Sequence, residues 1–205
     1  QQKFFSISKN ERNNFEVNVY QSDVWTQIYS NIVNNDKDKL NELISMYSEI
    51  QKKESLDRRK FADMVVASIQ HIPYVLVHES SCYQASQQGG FAQEYHSEGK
   101  PCIAEIKYGI QSPVEFMSNF KGDCDTRSVL CFLILSKFGY DTAVLVSNEY
   151  GHSILGIADK IGGGDHVKYR GKRYYVWETT ATDWKAGNIP PGCSNLRYWD
   201  VALAN

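Results

Sequence analysis

Lys121-Gly122-Asp123-Cys124-Asp125-Thr126 runs directly into Ser128-Val129-Leu130-Cys131-Phe132-Leu133-Ile134-Leu135. A glycine turn that opens so apolar a helix constrains the fold, because that helix has to pack against another layer. The same turn sets Cys124 in the first helical turn. Unpaired N–H groups and the positive end of the helix dipole there favour thiolate over thiol. A buried structural cysteine is the plain alternative, but Asp123, Asp125 and Thr126 make this a polar helix mouth. Cys131, between Leu130 and Phe132, reads as inert core.

The rest of the chain divides by pattern. Phe15 to Tyr20 alternates apolar and polar residues, as a half-exposed strand does. Ser22-Asp23 caps a helix through Val24, Trp25, Ile28, Tyr29, Ile32 and Val33. Leu40, Leu43, Ile44, Tyr47 and Ile50 repeat the helical spacing. A third helix starts at Ser55-Leu56-Asp57 and stops at Pro73. Ser80 to Lys100 loses periodicity and reads as a long loop. Ser112-Pro113-Val114-Glu115 has the form of a capped helix start, and that helix delivers the chain to Gly122.

After the cysteine helix, which stops at Gly139, strands are expected at Thr142–Ser147, Ser153–Ala158 and Tyr174–Glu178. The last two are expected to form a hairpin or meander around Gly162-Gly163-Gly164-Asp165. Helices first and antiparallel strands later predict an α+β fold with the cysteine helix packed on the sheet. Residues 1–55 read as an N-terminal strand and helical extension on a core of residues 56–205, in one compact unit.

At 205 residues the chain can bury a sizeable core. A net charge of −2 gives no basis for nucleic-acid binding. No apolar stretch approaches the ~20 residues that span a bilayer. The five cysteines contain no CxxC pair, and no Cys/His grouping has zinc-ligand spacing, so no metal or cofactor is expected. Cys82 and Cys102 bracket the polar loop. A disulfide there, worth roughly 3 kcal/mol by loop entropy, would favour an extracytoplasmic location.

Two polar positions join Cys124. His152 sits at the mouth of a strand whose inner face reads as apolar (Ile154, Leu155, Ile157), whereas His71, His78, His96 and His166 read as turn or surface residues. Glu178 ends Tyr174-Tyr175-Val176-Trp177, where a carboxylate can orient the imidazole. Asp183 is a competing acid and Asp165 a weaker one. Cysteine, histidine and carboxylate together are the inventory of a thiol nucleophile, its base and an orienting group.

Gly-Asp-Cys-Asp opening a helix, then Gly-His-Ser-Ile-Leu, then Tyr-Tyr-Val-Trp-Glu-Thr-Thr resembles the transglutaminase-like superfamily of papain-fold cysteine enzymes. The resemblance covers roughly Leu56 to Pro191. It implies Cys124 as nucleophile, His152 as base and Glu178 as third member. Aspartate is commoner at that last position, which keeps Asp183 open. The implied activity is attack on a peptide or amide carbonyl through a thioester, with the Cys124 N–H as one oxyanion donor. Gln111 or Asn119 is the candidate for the second. Without an acidic calcium loop, the resemblance favours hydrolysis (protease or deamidase) of a peptide or protein substrate over cross-linking. The alternative is an inactive domain of the same fold serving as a protein- or peptide-binding module.

Overall fold

The computed structural model describes residues 2–20, 23–87, 89–159 and 163–205. Four helices lead: α1 (Gln2–Asn14), α2 (Val24–Asp36), α3 (Asn41–Lys53) and α4 (Arg58–Gln70). Asp23 caps α2 by accepting from the Thr26 N–H, and Asp57 caps α4 through Lys60. Ser22 lies outside the described residues. Helix α1 is absent from the sequence reading, which expected a strand just beyond it. Phe15 to Val19 is irregular instead, because its backbone groups are taken by side chains. The Phe15 carbonyl accepts from the Tyr108 hydroxyl, and Asn18 exchanges hydrogen bonds with the Gln27 amide.

The Ser80–Lys100 stretch is more ordered than a loop. It holds α5 (Cys82–Ser86) and α6 (Gly90–Ser97), flanked by β1 (Leu76–Val77) and β2 (Cys102–Ile103), which pair in parallel. Cys82 and Cys102 form a disulfide that closes this unit at its base.

Helix α7 (Pro113–Asn119) starts with the expected capping box between Ser112 and Glu115. Helix α8 (Cys124–Lys137) follows, and from Thr126 to Leu135 every residue is buried. It packs on one face of a five-stranded antiparallel sheet of β3 (Thr142–Ser147), β4 (His152–Ile157), β5 (His166–Tyr169), β6 (Lys172–Trp177) and β7 (Asp200–Ala204). The strand order is β5-β6-β4-β3-β7. The α+β class is as expected.

The sheet differs from expectation in three ways. Strands β4 and β6 are neighbours, but the chain between them passes through β5 on the outer edge, and the tight turn is Arg170-Gly171. Of the glycine run, Gly162 lies outside the described residues. Gly164 has φ +103°, and a Cβ there would sit 2.3 Å from the Gly187 carbonyl oxygen. Strand β7 was not expected at all, and it pairs with β3. Ile154 and Leu155 also do not share a face. The two-residue period sends Val144, Val146, Leu155, Ile157 and Trp177 to the helices, and Ala143, Leu145, Ile154, Tyr174 and Val176 to a second core. Ile189, Cys193 and Trp199 close that second core.

The N-terminal helices are structural members of the same body. Ile28, Tyr29 and Ile32 of α2 share the α8 core. Arg12 of α1 makes a buried two-pronged ion pair with Glu115 of α7, both contacts at 2.9 Å. Among the described residues no helix is long and apolar enough to cross a membrane.

Candidate active site

The turn that presents Cys124 is built from several directions. Asp123 caps α8, its carboxylate accepting from the Thr126 hydroxyl at 3.1 Å and N–H at 3.4 Å. Arg127, fully buried, donates back to the Gly122 carbonyl and forward to the carbonyls of Ile69, Ile72 and Pro73 at the end of α4. Gly122 leaves no room for a side chain, since a Cβ would lie 2.9 Å from Thr126 Cγ2 and 3.0 Å from Phe116 Cδ2.

Cys124 is only 7% exposed. Its thiol donates to the Asp125 carboxylate at 3.9 Å, and the backbone N–H of Ser153, the residue after His152 in β4, favours the thiolate. His152 Nε2 lies 2.8 Å from Glu178 Oε2. The other Glu178 oxygen accepts from the N–H groups of Thr179 and Thr180 and from the Thr180 hydroxyl, each at 2.8 Å. With Nε2 donating to the carboxylate, Nδ1 is the ring nitrogen left to accept a proton. Burial works to raise the Glu178 pKa. The His152 bond and charge, with the Thr180 donors, outweigh it and hold the group below the usual glutamate range.

The thiol runs against the helix-end argument. Burial first, then the charges of Asp125 and Asp123, push the Cys124 pKa well above the usual thiol value, and the Ser153 N–H offsets only part of this. Asp123 and Asp125 are themselves raised, burial being the largest cause for each. The resting thiol is therefore protonated, in a cleft that His152 also lines. Cys131 is the inert thiol expected, fully buried with its pKa pushed to about 12.

Gln111 and Asn119, the candidates for the second oxyanion donor, bond to each other. Asn119 Nδ2 donates to Gln111 Oε1, the Asn119 oxygen accepts from the Lys121 N–H, and neither residue lines the cleft. Asp183 is exposed at a positive φ of 69° and is likewise absent from the cleft lining, so Glu178 alone of the two acids meets His152.

The cleft over Cys124, His152 and Glu178 has a volume of about 960 Å³. Tyr74, Phe91 and Tyr95 form an aromatic roof with ring centroids 5.7–6.3 Å apart, carried partly by α6. Trp25 of α2 also lines it, so the N-terminal helices contribute to the site. Sequence reasoning missed Tyr29, whose hydroxyl donates to Asp125, and Trp199, whose ring meets His152 edge-on at 5.9 Å. The Trp199 indole N–H is held by the Cys193 carbonyl at 2.9 Å. The helical spacing marks Tyr29 only as a buried helix face, and no local pattern marks Trp199. Spacing along the chain holds no sign that His78, His96 and Cys102 converge, with ligand atoms within 4.8 Å of one another.

No protein-family model matches the chain, and neither a curated protein nor a solved structure is significantly similar to it.

Proposed function

We propose that this protein is a transglutaminase-like cysteine hydrolase that attacks a peptide or amide carbonyl. The observation that carries the reading is the 2.8 Å bond from His152 Nε2 to Glu178 Oε2, in the cleft that Cys124 also lines. In this reading the central helix and antiparallel sheet correspond to a papain-like core, and the Cys82–Cys102 disulfide fits an oxidising, extracytoplasmic setting.

Because the thiol rests protonated, His152 Nδ1 takes its proton as the sulfur adds to the carbonyl carbon. The carbonyl oxygen, now anionic, faces the first turn of α8, where the Cys124 N–H is the donor. Collapse of the adduct breaks the carbon–nitrogen bond. The imidazolium returns the proton to the leaving amine, and a thioester remains. Water, deprotonated by the same nitrogen, releases the carboxylic acid and restores the thiol. Glu178 holds the ring and stabilises the imidazolium in both steps. The 960 Å³ aromatic-roofed cleft suits an extended peptide segment.

The raised Cys124 pKa favours a second reading, a peptide-binding domain without turnover. Two measurements separate them. Iodoacetamide labelling mapped by mass spectrometry should find Cys124 first, ahead of Cys131 and Cys193. A glutamine- and asparagine-containing peptide library should show hydrolysis or deamidation that Cys124→Ala abolishes and His152→Ala slows by about 10²–10⁴-fold. Peptide binding without any turnover, and labelling indifferent to His152→Ala, would establish the binding module instead.

A further inference from the structure

We propose that His78, His96, Cys82 and Cys102 form a second, redox-gated site that takes a zinc ion when the disulfide is reduced. Nδ1 or Nε2 of each histidine and the Cys102 sulfur lie within 4.8 Å of one another, and Cys82 is bonded to Cys102 with a Cα separation of 6.2 Å. The two imidazoles face each other at 5.7 Å between centroids. The Nε2 atoms of both His78 and His96 are buried and have no hydrogen-bond partner. Leaving one such nitrogen unpaired is costly, and leaving two side by side calls for a ligand.

Two imidazoles and two thiolates make a tetrahedral zinc donor set. Zinc–ligand distances of ~2.0–2.3 Å put neighbouring donor atoms about 3.3–3.8 Å apart, so the cluster needs only side-chain rotation. Redox and metal states exclude each other. A dithiol reductant supplies two electrons and two protons, the Cys82–Cys102 bond breaks, and the reductant leaves as a disulfide. Zinc then displaces the two thiol protons.

The site is placed to act on the cleft roof. His78 follows Val77, His96 follows Tyr95 and Cys102 follows Pro101, and each of those preceding residues lines the cleft. Its backbone is held as well, because the His78 N–H donates to the Ile103 carbonyl at 2.8 Å and its carbonyl accepts from Ile106 at 2.9 Å. Disulfide or zinc thus clasps the same roof, so the chain keeps its cleft closed above in oxidising surroundings and before the disulfide forms.

Cobalt(II) titration of the full chain tests this in a Cys124→Ala background, which removes the proposed nucleophile and makes the result independent of the catalytic reading. The reduced protein should bind one cobalt per chain with tetrahedral visible bands and a sulfur-to-cobalt charge-transfer band. Oxidation, or His78→Ala/His96→Ala, should weaken binding by more than about 100-fold, beyond the 10–100-fold typical of lost outer-shell partners. Zinc should also protect Cys82 and Cys102 of the reduced protein from iodoacetamide, a measurement that needs no histidine variant. Equal alkylation with and without zinc, or cobalt binding that survives oxidation or loss of both histidines, overturns the proposal.

Discussion

The Arg127 guanidinium donates to the Gly122 carbonyl at 3.1 Å while its other nitrogens reach Ile69 at 2.9 Å and both Ile72 and Pro73 at 2.7 Å. One buried side chain therefore ties the end of α4 to the turn that presents Cys124. Arg127→Met should cost at least about 3 kcal/mol in urea unfolding, since each buried carbonyl left unpaired costs roughly 1–3 kcal/mol. Arg127→Lys should recover only part, because an ammonium cannot span the fork. A lysine variant within about 0.5 kcal/mol of the parent, the range of an inconsequential surface change, would sink this account.

Gly122→Ala places a methyl group against Thr126 Cγ2 and Phe116 Cδ2. The expected penalty is about 1–3 kcal/mol, the range for overpacking. Thr126→Ser removes that methyl while keeping the hydroxyl bond to Asp123, so the double variant should be more stable than simple addition of the two changes allows. Strict additivity in thermal unfolding would show that the clash is relieved elsewhere.

Since burial and the carboxylates of Asp125 and Asp123 raise the Cys124 pKa, alkylation of Cys124 should keep rising into alkaline pH and not level off near neutrality. Asp125→Asn removes one of those charges and should move the rate profile to lower pH. A profile unmoved by that change, followed at the Cys124 peptide by mass spectrometry, would mean that burial alone holds the proton.

Glu178 has a folded-state pKa below its unfolded one, so the unfolded chain binds more protons in that interval and stability rises with pH across it. The contribution is fully present above the ordinary glutamate range, ~4.3, and is lost as pH falls through the lower folded value. The stability gap between parent and Glu178→Gln should accordingly shrink on acidification. Chemical denaturation across that window checks it, and a gap that widened with acid would reverse the assigned sign.

Arg12 and Glu115 are 2% and 1% exposed, so removing one partner strands a buried charge. Arg12→Met should destabilise by about 3–5 kcal/mol, with Arg12→Met/Glu115→Leu recovering much of it. Loss of stability on this scale would also show that residues before Leu56 belong to the cooperative core. Two separate unfolding transitions would instead show that this segment unfolds on its own.

Local chemistry carried a large share of this protein. The caps at Asp23, Asp57 and Ser112, the buried helix from Cys124, and the three strands read from Thr142, Ser153 and Tyr174 follow from spacing and side-chain type, and those signals act within a few residues. The same local signals singled out Cys124, His152 and Glu178. Long-range packing decided the rest. It chose Glu178 over Asp183, turned Gln111 and Asn119 toward each other, and brought Trp199 to His152. It raised the thiol pKa that a helix end alone would lower, because desolvation and neighbouring charge depend on which atoms surround the sulfur. Helix α1, strand β7 and the His78–His96–Cys102 cluster were hidden for a related reason. Their partners are distant in sequence, so no window on the chain contains both sides of the contact that makes them form.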